Sequence, residues 1–444
     1  VTPEHGPLVL TAIPGPRSRE LGARLASREC PAFDARRAAR GASSGEEQAP
    51  VVFERGEGEL VWDVDGNRYV DLVGGFGALV LGHAPAALTA ALVGQLGRLP
   101  LALGDVFPSE AKVRVCEAIA ALYPAEGARV LLGLSGADAV TAAMKTAVLA
   151  TGRPGVVAFE GAYHGLSHGP LAACGLSPAF RAPFAGQLGE RVTFAPYPRA
   201  DARDPARALD ASLSSVRAAL AGGEVGLVLV EPLLGRGGCL EPPPGFLREL
   251  RALCTESGAL LAADEIWTGL GRSGALLASL AECTPDLVCL GKGLGAGYPI
   301  SACVGSAGAM EAWGAHGGAA IHTATHFGAP PACEAALVAL GEIERLGLAA
   351  RARQVGAALQ RALRAAGFTV TGRGLMLGVH LGSAPRALAV ARRLLRRGWL
   401  TLTGGTSGDV LTLSPPLILS EARVAPFVAA LQASHEAAPG ARDG

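Results

Sequence analysis

Asp264 ends an apolar stretch, ALLAADE, and Lys292 ends the next one, LVCLGK, directly before GLGAGYP. Read as strands, both stretches place an ionisable side chain at a carboxyl end, where α/β sheets bind ligands. An amine between Gly291 and Gly293 sits among backbone and apolar groups, which favours its neutral form. A neutral amine is the nucleophile that a Schiff base requires. A carboxylate at the neighbouring strand end can keep a pyridinium nitrogen protonated and make that ring an electron sink. Taken singly, either charge reads equally well as a solvated loop residue. Composition sharpens the pair: of 39 basic residues only Lys112, Lys145 and Lys292 are lysines. Lys112 falls in a predicted helix (SEAKVRVCEA), and Lys145 on the far part of the helix that follows Ser135-Gly136.

Two further segments follow apolar strands. In LLGLSGADAV, Ser135, Gly136 and Ala137 stand at a helix N-terminus, whose free N–H groups bind anions; Ser135 reads equally as a helix cap. In FEGAYHG, Tyr163 can lay its ring on a flat ligand or simply pack. Two motifs are weaker. GLSHG (165–169) fits the serine-hydrolase pattern around Ser167, but that elbow needs a strand directly before the serine. Here five loop residues intervene and Pro170 follows. GKGLGAG resembles a dinucleotide loop, yet Pro299 obstructs the helix that such a loop must open.

The elements that position these residues are legible as alternating strands and helices. Strands are expected at Arg129–Leu134, Val156–Phe159, Val192–Ala195, Gly226–Val230, Leu260–Ala263, Leu287–Leu290 and Ser301–Gly305, and helices at Ala137–Ala150, Pro205–Ala221 and Phe246–Ser257. Several of these strands are nearly all apolar, which implies a mostly parallel α/β sheet covered on both faces. Residues 1–50 are expected to form an N-terminal arm, helical around Ser18–Arg28 and then a loop. Residues 51–104 begin a smaller α+β domain, with a hairpin at Asp65-Gly66 and a helix near Ala86–Leu96. Residues 105–330 form the large domain. Residues 331–444 supply a long helical link broken at Leu346-Gly347, then strands at Thr369–Leu381 and Val410–Leu413 and helices at Ala384–Arg397 and Glu421–Ser434.

Charge and composition exclude several function classes. The chain of 444 residues carries 39 basic and 39 acidic side chains, which leaves no electrostatic footprint for nucleic acid or an anionic membrane. No apolar run approaches the roughly 18 residues of a membrane span, and the N-terminus lacks the order of a signal peptide. Nine cysteines without a CxxC pair read as reduced thiols, not as a zinc site or a disulfide framework. The expected compartment is the cytoplasm.

Jointly, the segments VWDVDGNRYVDL, SGADAVTAAMKTA, FEGAYHG, VEPLLGRGG, ADEIWTGLGRSG, LGKGLGAGYPISA, HTATHFGAPPAC and LTLSPPLILSE resemble the class III aminotransferases of the fold type I pyridoxal-phosphate group. They run in family order over most of the chain. The resemblance implies a pyridoxal 5'-phosphate cofactor, a mostly parallel seven-stranded large domain with a smaller α+β domain, and a homodimer with shared active sites. It implies that Lys292 forms the Schiff base and moves the proton, that Asp264 pairs with the ring nitrogen, and that Tyr163 and Ile266 enclose the ring. Ser135, Gly136 and Ala137 would hold the phosphate, His164 and Glu231 would belong to the network near the ring, and Thr325 would reach the phosphate in the neighbouring subunit.

Departures from the family pattern point at the substrate. Trp267 replaces a glutamine that contacts the ring hydroxyl. Arg236 stands where many members have glutamate, and Thr412 where many have arginine; in ornithine and 4-aminobutyrate aminotransferases those two residues pair as a gate for carboxylates. Phe76 stands where ornithine aminotransferase has a tyrosine. Arg236 is therefore expected either to take over carboxylate binding or to turn outward to surface acids. The expected activity is amino-group transfer between an amine or amino acid and a keto acid or aldehyde, with ping-pong kinetics. The alternatives are an amino-acid racemase or epimerase of the same family and, more remotely, a serine hydrolase at Ser167.

Overall fold

The computed structural model describes residues 6–315 and 318–438. The chain opens with helices α1 (Pro16–Ala26) and α2 (Pro31–Ser44). The second corrects the expected loop after residue 28. Pro31 begins it and Gly45, at φ +66°, ends it, which is the usual asymmetry of helix ends. Its sequence, PAFDARRAARGASS, carries only small alanines on one face, at 35, 38, 39 and 42, and this face stays unburied. Tertiary contacts hold it instead: Glu46, just beyond its end, accepts from Arg393 at 3.0 Å and Arg396 at 2.6 Å.

Three strands follow: β1 (Phe53–Glu57), β2 (Leu60–Asp63) and β3 (Arg68–Asp71). The Asp65-Gly66 turn joins the last two. Asp63 closes it by accepting the amides of Asp65 at 3.0 Å and Asn67 at 2.9 Å, and Gly66 takes φ +85°.

The large sheet comprises β4 (Arg129–Gly133), β5 (Gly155–Phe159), β6 (Val192–Ala195), β7 (Val225–Val230), β8 (Leu260–Asp264), β9 (Leu287–Leu290) and β10 (Ser301–Gly305). Their boundaries lie within one residue of those expected from the sequence. The spatial order is β4-β10-β9-β8-β7-β5-β6. Strands β5 to β9 pair in parallel, whereas β10 runs antiparallel to both β4 and β9. Being antiparallel to the same strand, β4 and β9 point the same way. Six carboxyl ends therefore share one edge of the sheet, and only β10 points away.

Alternation explains why these strands read as continuously apolar. Ala158, Leu227, Leu229 and Ala262 face the Gly136–Thr151 helix. Their strand neighbours Val157, Val228, Val230 and Leu261 pack on the opposite face with the Phe246–Ser257 helix. Both sets are withdrawn from water, so a period of two is hidden in the sequence.

The C-terminal region adds β11 (Thr369–Arg373), β12 (Met376–His380), β13 (Trp399–Leu400), β14 (Leu402–Gly404) and β15 (Val410–Leu413). The single strand expected over Thr369–Leu381 is a hairpin, because the chain reverses at Gly374, whose φ is +59°. Strand β13 pairs in parallel with β3, Trp399 opposite Val70, so residues from both ends of the chain share one small sheet.

Arg272 ties these parts together. It is 1% exposed; its guanidinium donates to the carbonyl oxygens of Leu375 at 2.9 Å, Gly77 at 3.3 Å and Pro415. One side chain thus satisfies carbonyls from three chain segments that surround the site. Lysine cannot reproduce a fork of donors. Arg272→Lys is expected to lower unfolding stability by about 2–4 kcal/mol, read from urea unfolding, with cofactor-free protein showing the same loss.

Candidate active site

The shared carboxyl edge collects the site. Asp264 closes β8 and Lys292 follows β9 by two residues. Glu231 follows β7, and Tyr163 and His164 lie in the loop after β5. Ser135 caps the helix after β4. All six, with Gly136, Ala137, Arg236, Ile266 and Trp267, line one cavity of about 460 Å³.

Lys292 is set by its backbone. Gly291 is extended, and Lys292 itself takes φ +37°, a left-handed conformation that a side chain tolerates only under tertiary constraint. Its side chain is partly exposed to the cavity, and protein surrounds the rest of it. That enclosure pushes its pKa down, against the pull of Asp264 and Glu231; Arg236 and Arg272 push the same way as burial. The amine lies 5.0 Å from the centroid of the Trp267 ring.

Asp264 is 3% exposed and uses both oxygens. One accepts the Ile266 amide at 3.1 Å, and the other meets Nδ1 of His164 at 2.7 Å. Burial works against a charged His164 imidazole, but the hydrogen bond and charge of Asp264, aided by Glu231, outweigh it and raise its pKa. Glu231, 5% exposed, accepts the backbone amides of Tyr163 at 2.7 Å and Gly235 at 3.0 Å, so it joins two site loops. Burial raises its pKa to about 7; His164 opposes that shift and Asp264 adds to it.

Ser135 forms a capping box with Asp138, at 3.3 Å from its amide and 3.0 Å from its carboxylate. Its hydroxyl is a cap as well as part of the lining. The amides of Gly136 and Ala137, in the first helical turn, have no carbonyl within the helix to bind. A Cβ on Gly136 would fall 2.8 Å from Ile266, so glycine permits that close approach.

A second cavity of about 620 Å³ shares Tyr163, Arg236, Trp267 and Lys292, and opens outward past Phe76 and Thr412. The Arg236 guanidinium lies over the Tyr163 ring, 4.5 Å from its centroid, with no carboxylate within ion-pair distance among the described residues. The alternative of an Arg236 turned outward to surface acids is not what the structure contains. Phe76 is 68% exposed at the mouth and has φ +59°. Thr412 is buried with Oγ1 unpartnered.

Trp267 fills the place of the expected glutamine because two glycines admit it. A Cβ on Gly77 or on Gly235 would fall 2.3 Å from its ring. Its Nε1–H is buried without a partner, as is Nε2 of His164.

Two expected residues stand apart. Thr325 is exposed and outside both cavities. Ser167 lies at the cavity edge, but it precedes the short His168–Ala172 helix, and no imidazole is hydrogen-bonded to it among the described residues. Its neighbour His168 meets Gln187 at 2.8 Å instead. That removes the serine-hydrolase alternative. The sequence reading missed the contribution of α2, which brings Phe33, Arg36, Arg37 and Arg40 to the outer cavity. Its arginine-rich composition was the only signal.

The sequence pattern described as Aminotransferase class-III matches residues 42–434. The chain belongs to the class III aminotransferases. Acetylornithine aminotransferase of Mycobacterium tuberculosis (strain ATCC 25618 / H37Rv) is 38% identical over 401 residues, covering 88% of this chain and 93% of that protein. That of Methanopyrus kandleri is 37% identical over 378 residues, 84% of this chain and 91% of the other. Among solved structures, an amine transaminase from an uncultivated Pseudomonas species in a PLP-bound form has TM-score 0.81 and 30% identity, covering 87% and 94% of the two chains. The ornithine aminotransferase of Toxoplasma gondii has TM-score 0.79 and 31% identity, covering 88% and 91%. For a class III aminotransferase these relatives favour transamination over racemisation.

Two outcomes follow from the geometry. Gly77→Ala should cost about 1–3 kcal/mol more beside Trp267 than beside Trp267→Gln, a non-additivity measurable by a double-mutant cycle in urea. The strain of a side chain at φ +82° is common to both arms and cancels. For Glu231, a folded pKa near 7 lies above the unfolded value of 4.5. The folded state then holds the proton more tightly, and stability from this group is lost as pH rises between those values. Glu231→Gln should remove that slope, in unfolding measured at several pH values, whatever its effect on the baseline.

Proposed function

We propose that this chain is a pyridoxal 5'-phosphate-dependent aminotransferase acting as a homodimer. It moves an amino group from an amine or amino acid to a keto acid or aldehyde, and the first product leaves before the second substrate enters. The observation that carries the reading is the enclosed Lys292 amine, with its lowered pKa, in one cavity with the Asp264–His164 pair. The residues fit the cofactor. Two buried donors or acceptors lack protein partners, the Gly136–Thr151 helix offers free first-turn amides to a phosphate, and Gly136 leaves room beside Ile266.

When bound, pyridoxal 5'-phosphate supplies an aldehyde that condenses with amines and a ring that accepts electrons. The chain's residues do the rest. Nζ of Lys292, whose pKa burial lowers, would accept a proton from the substrate carbon that bears nitrogen and later return one. Asp264, oriented by His164, would hold the cofactor's ring nitrogen in its protonated form. Glu231 holds the Tyr163 loop and the Gly235 loop in register, and the indole N–H of Trp267 offers a donor in place of the amide of glutamine. Arg236 is placed to receive a substrate carboxylate.

Dimerisation is supported by large apolar side chains left exposed, among them Val93 at 67%, and Leu103 at 62% bridged to Phe107 at 67%. Thr325, exposed two residues before Phe327, whose carbonyl approaches Gly104, would on this reading reach the neighbouring subunit's phosphate. The nine free thiols support a reducing, cytoplasmic setting. No helix among the described residues is long and apolar enough to cross a membrane.

The purified protein should bind pyridoxal 5'-phosphate, and borohydride should fix it to Lys292. Lys292→Arg should abolish turnover, because guanidinium supplies no neutral amine near neutral pH. Lys112→Arg, whose amine only meets the Gly104 carbonyl at 2.8 Å, should stay within about two-fold of wild type. Loss of chirality from a single amino acid without any keto acid would favour racemisation instead.

A further inference from the structure

The outer cavity is lined by five basic side chains, Arg36, Arg37, Arg40, Arg236 and Lys292, and by no acidic one. Such a lining attracts anions and repels amines. The five are not equivalent. Arg37 is engaged outside, 3.5 Å from both Glu29 and Asp34. Arg36 is exposed at the rim. Lys292 serves the reacting end. Arg40 and Arg236 remain.

Arg40 is partly buried, and its one hydrogen bond goes to a neutral group, Thr403 Oγ1 at 3.1 Å. No carboxylate lies within ion-pair distance of it among the described residues. Burial, and then the like charge of Arg36, push its pKa down; the guanidinium stays protonated even so. Its charge is therefore held at a cost that an anion in the cavity would relieve. Thr403 adjoins Gly404, which lies beside the Arg236 carbonyl, and the next residue donates to that carbonyl at 2.9 Å. The strand that Arg40 grips thus runs past Arg236. The cavity is also lined by Thr412, whose unpartnered hydroxyl is neutral and supplies no charge.

We infer that Arg40, carried into the cavity by helix α2, binds the acidic group of the substrate farthest from the reacting carbon, and so selects amino and keto acids that bear a second carboxylate. A planar guanidinium matches a carboxylate with two parallel donors. The charge arrives on a helix outside the catalytic domain instead of on a strand of the cavity wall. The inference rests on the transaminase reading only for which end of the substrate reacts.

Glutarate, which has two carboxylates and no reactive group, tests it by calorimetry on the cofactor-loaded full chain, with butyrate as the single-carboxylate control. Glutarate should bind wild type more tightly than butyrate does. Arg40→Ala should weaken glutarate at least about thirty-fold and butyrate far less; Arg40→Lys should restore part of the loss. In turnover, the kcat/KM ratio of a dicarboxylic to a monocarboxylic keto acid should fall by a similar factor, through KM. Equal weakening of both acids, an unchanged glutarate affinity, or a wild type that does not prefer glutarate would each overturn the assignment. Arg40-dependent glutarate binding without any amino-group transfer would sink the transaminase reading and leave Arg40's role standing. Transfer with Arg40-independent glutarate binding would do the reverse.

Discussion

Taking several ionisable groups out of water at one point is the constraint on which the rest of this structure depends. Asp264, His164 and Glu231 are each no more than 5% exposed, and Lys292 is enclosed with them. Isolated charges in such a place would be prohibitive. They are tolerable because each is answered: Asp264 by His164 and a backbone amide, Glu231 by two backbone amides and its raised pKa, Lys292 by a lowered one. The parallel sheet makes this affordable. Its strands end together, and the loops beyond them supply free amides without exposing the core.

The same constraint explains the hub at Arg272. A cavity at the meeting of three chain segments needs its walls held at fixed separation. The guanidinium does this by donating to carbonyls of Gly77, Leu375 and Pro415. Gly77 is also one of the glycines that admit the Trp267 indole. The floor of the site and the joint between its parts are therefore one packing unit.

The large domain was legible because its strands are mostly apolar runs of four to six residues ending near glycine, proline or charge, and the structure moves their ends by at most one residue. The turn at Asp65-Gly66 was legible for a different reason, since local hydrogen bonds to Asp63 define it. Helix α2 was not legible. Its one repeating face is made of small alanines that stay unburied, and Glu46 just beyond its end pairs with arginines some 350 residues away. The hairpin at Gly374 was hidden because β11, TVTGR, has only Val370 as an apolar residue, so no separate apolar run announces it beside β12. Among site residues, those following strands were found by position. The arginines of α2 were not, because no local rule aims a polar helix at a distant cavity.

The sequence by itself determined that one lysine of three follows an apolar strand, next to a strand that ends in an aspartate. It also determined that Trp267, Arg236 and Thr412 depart from the family pattern. Only the tertiary structure decided what those departures amount to. It showed that glycines at 77 and 235 accommodate the indole and that Arg236 lies against Tyr163, free of acids among the described residues. It also brought in Arg40 from an arm outside the catalytic domain. The physical reason is range. Strand patterning and turn geometry act within a few residues and are written locally, whereas a charge left unpaired in a cavity is a property of everything that surrounds it.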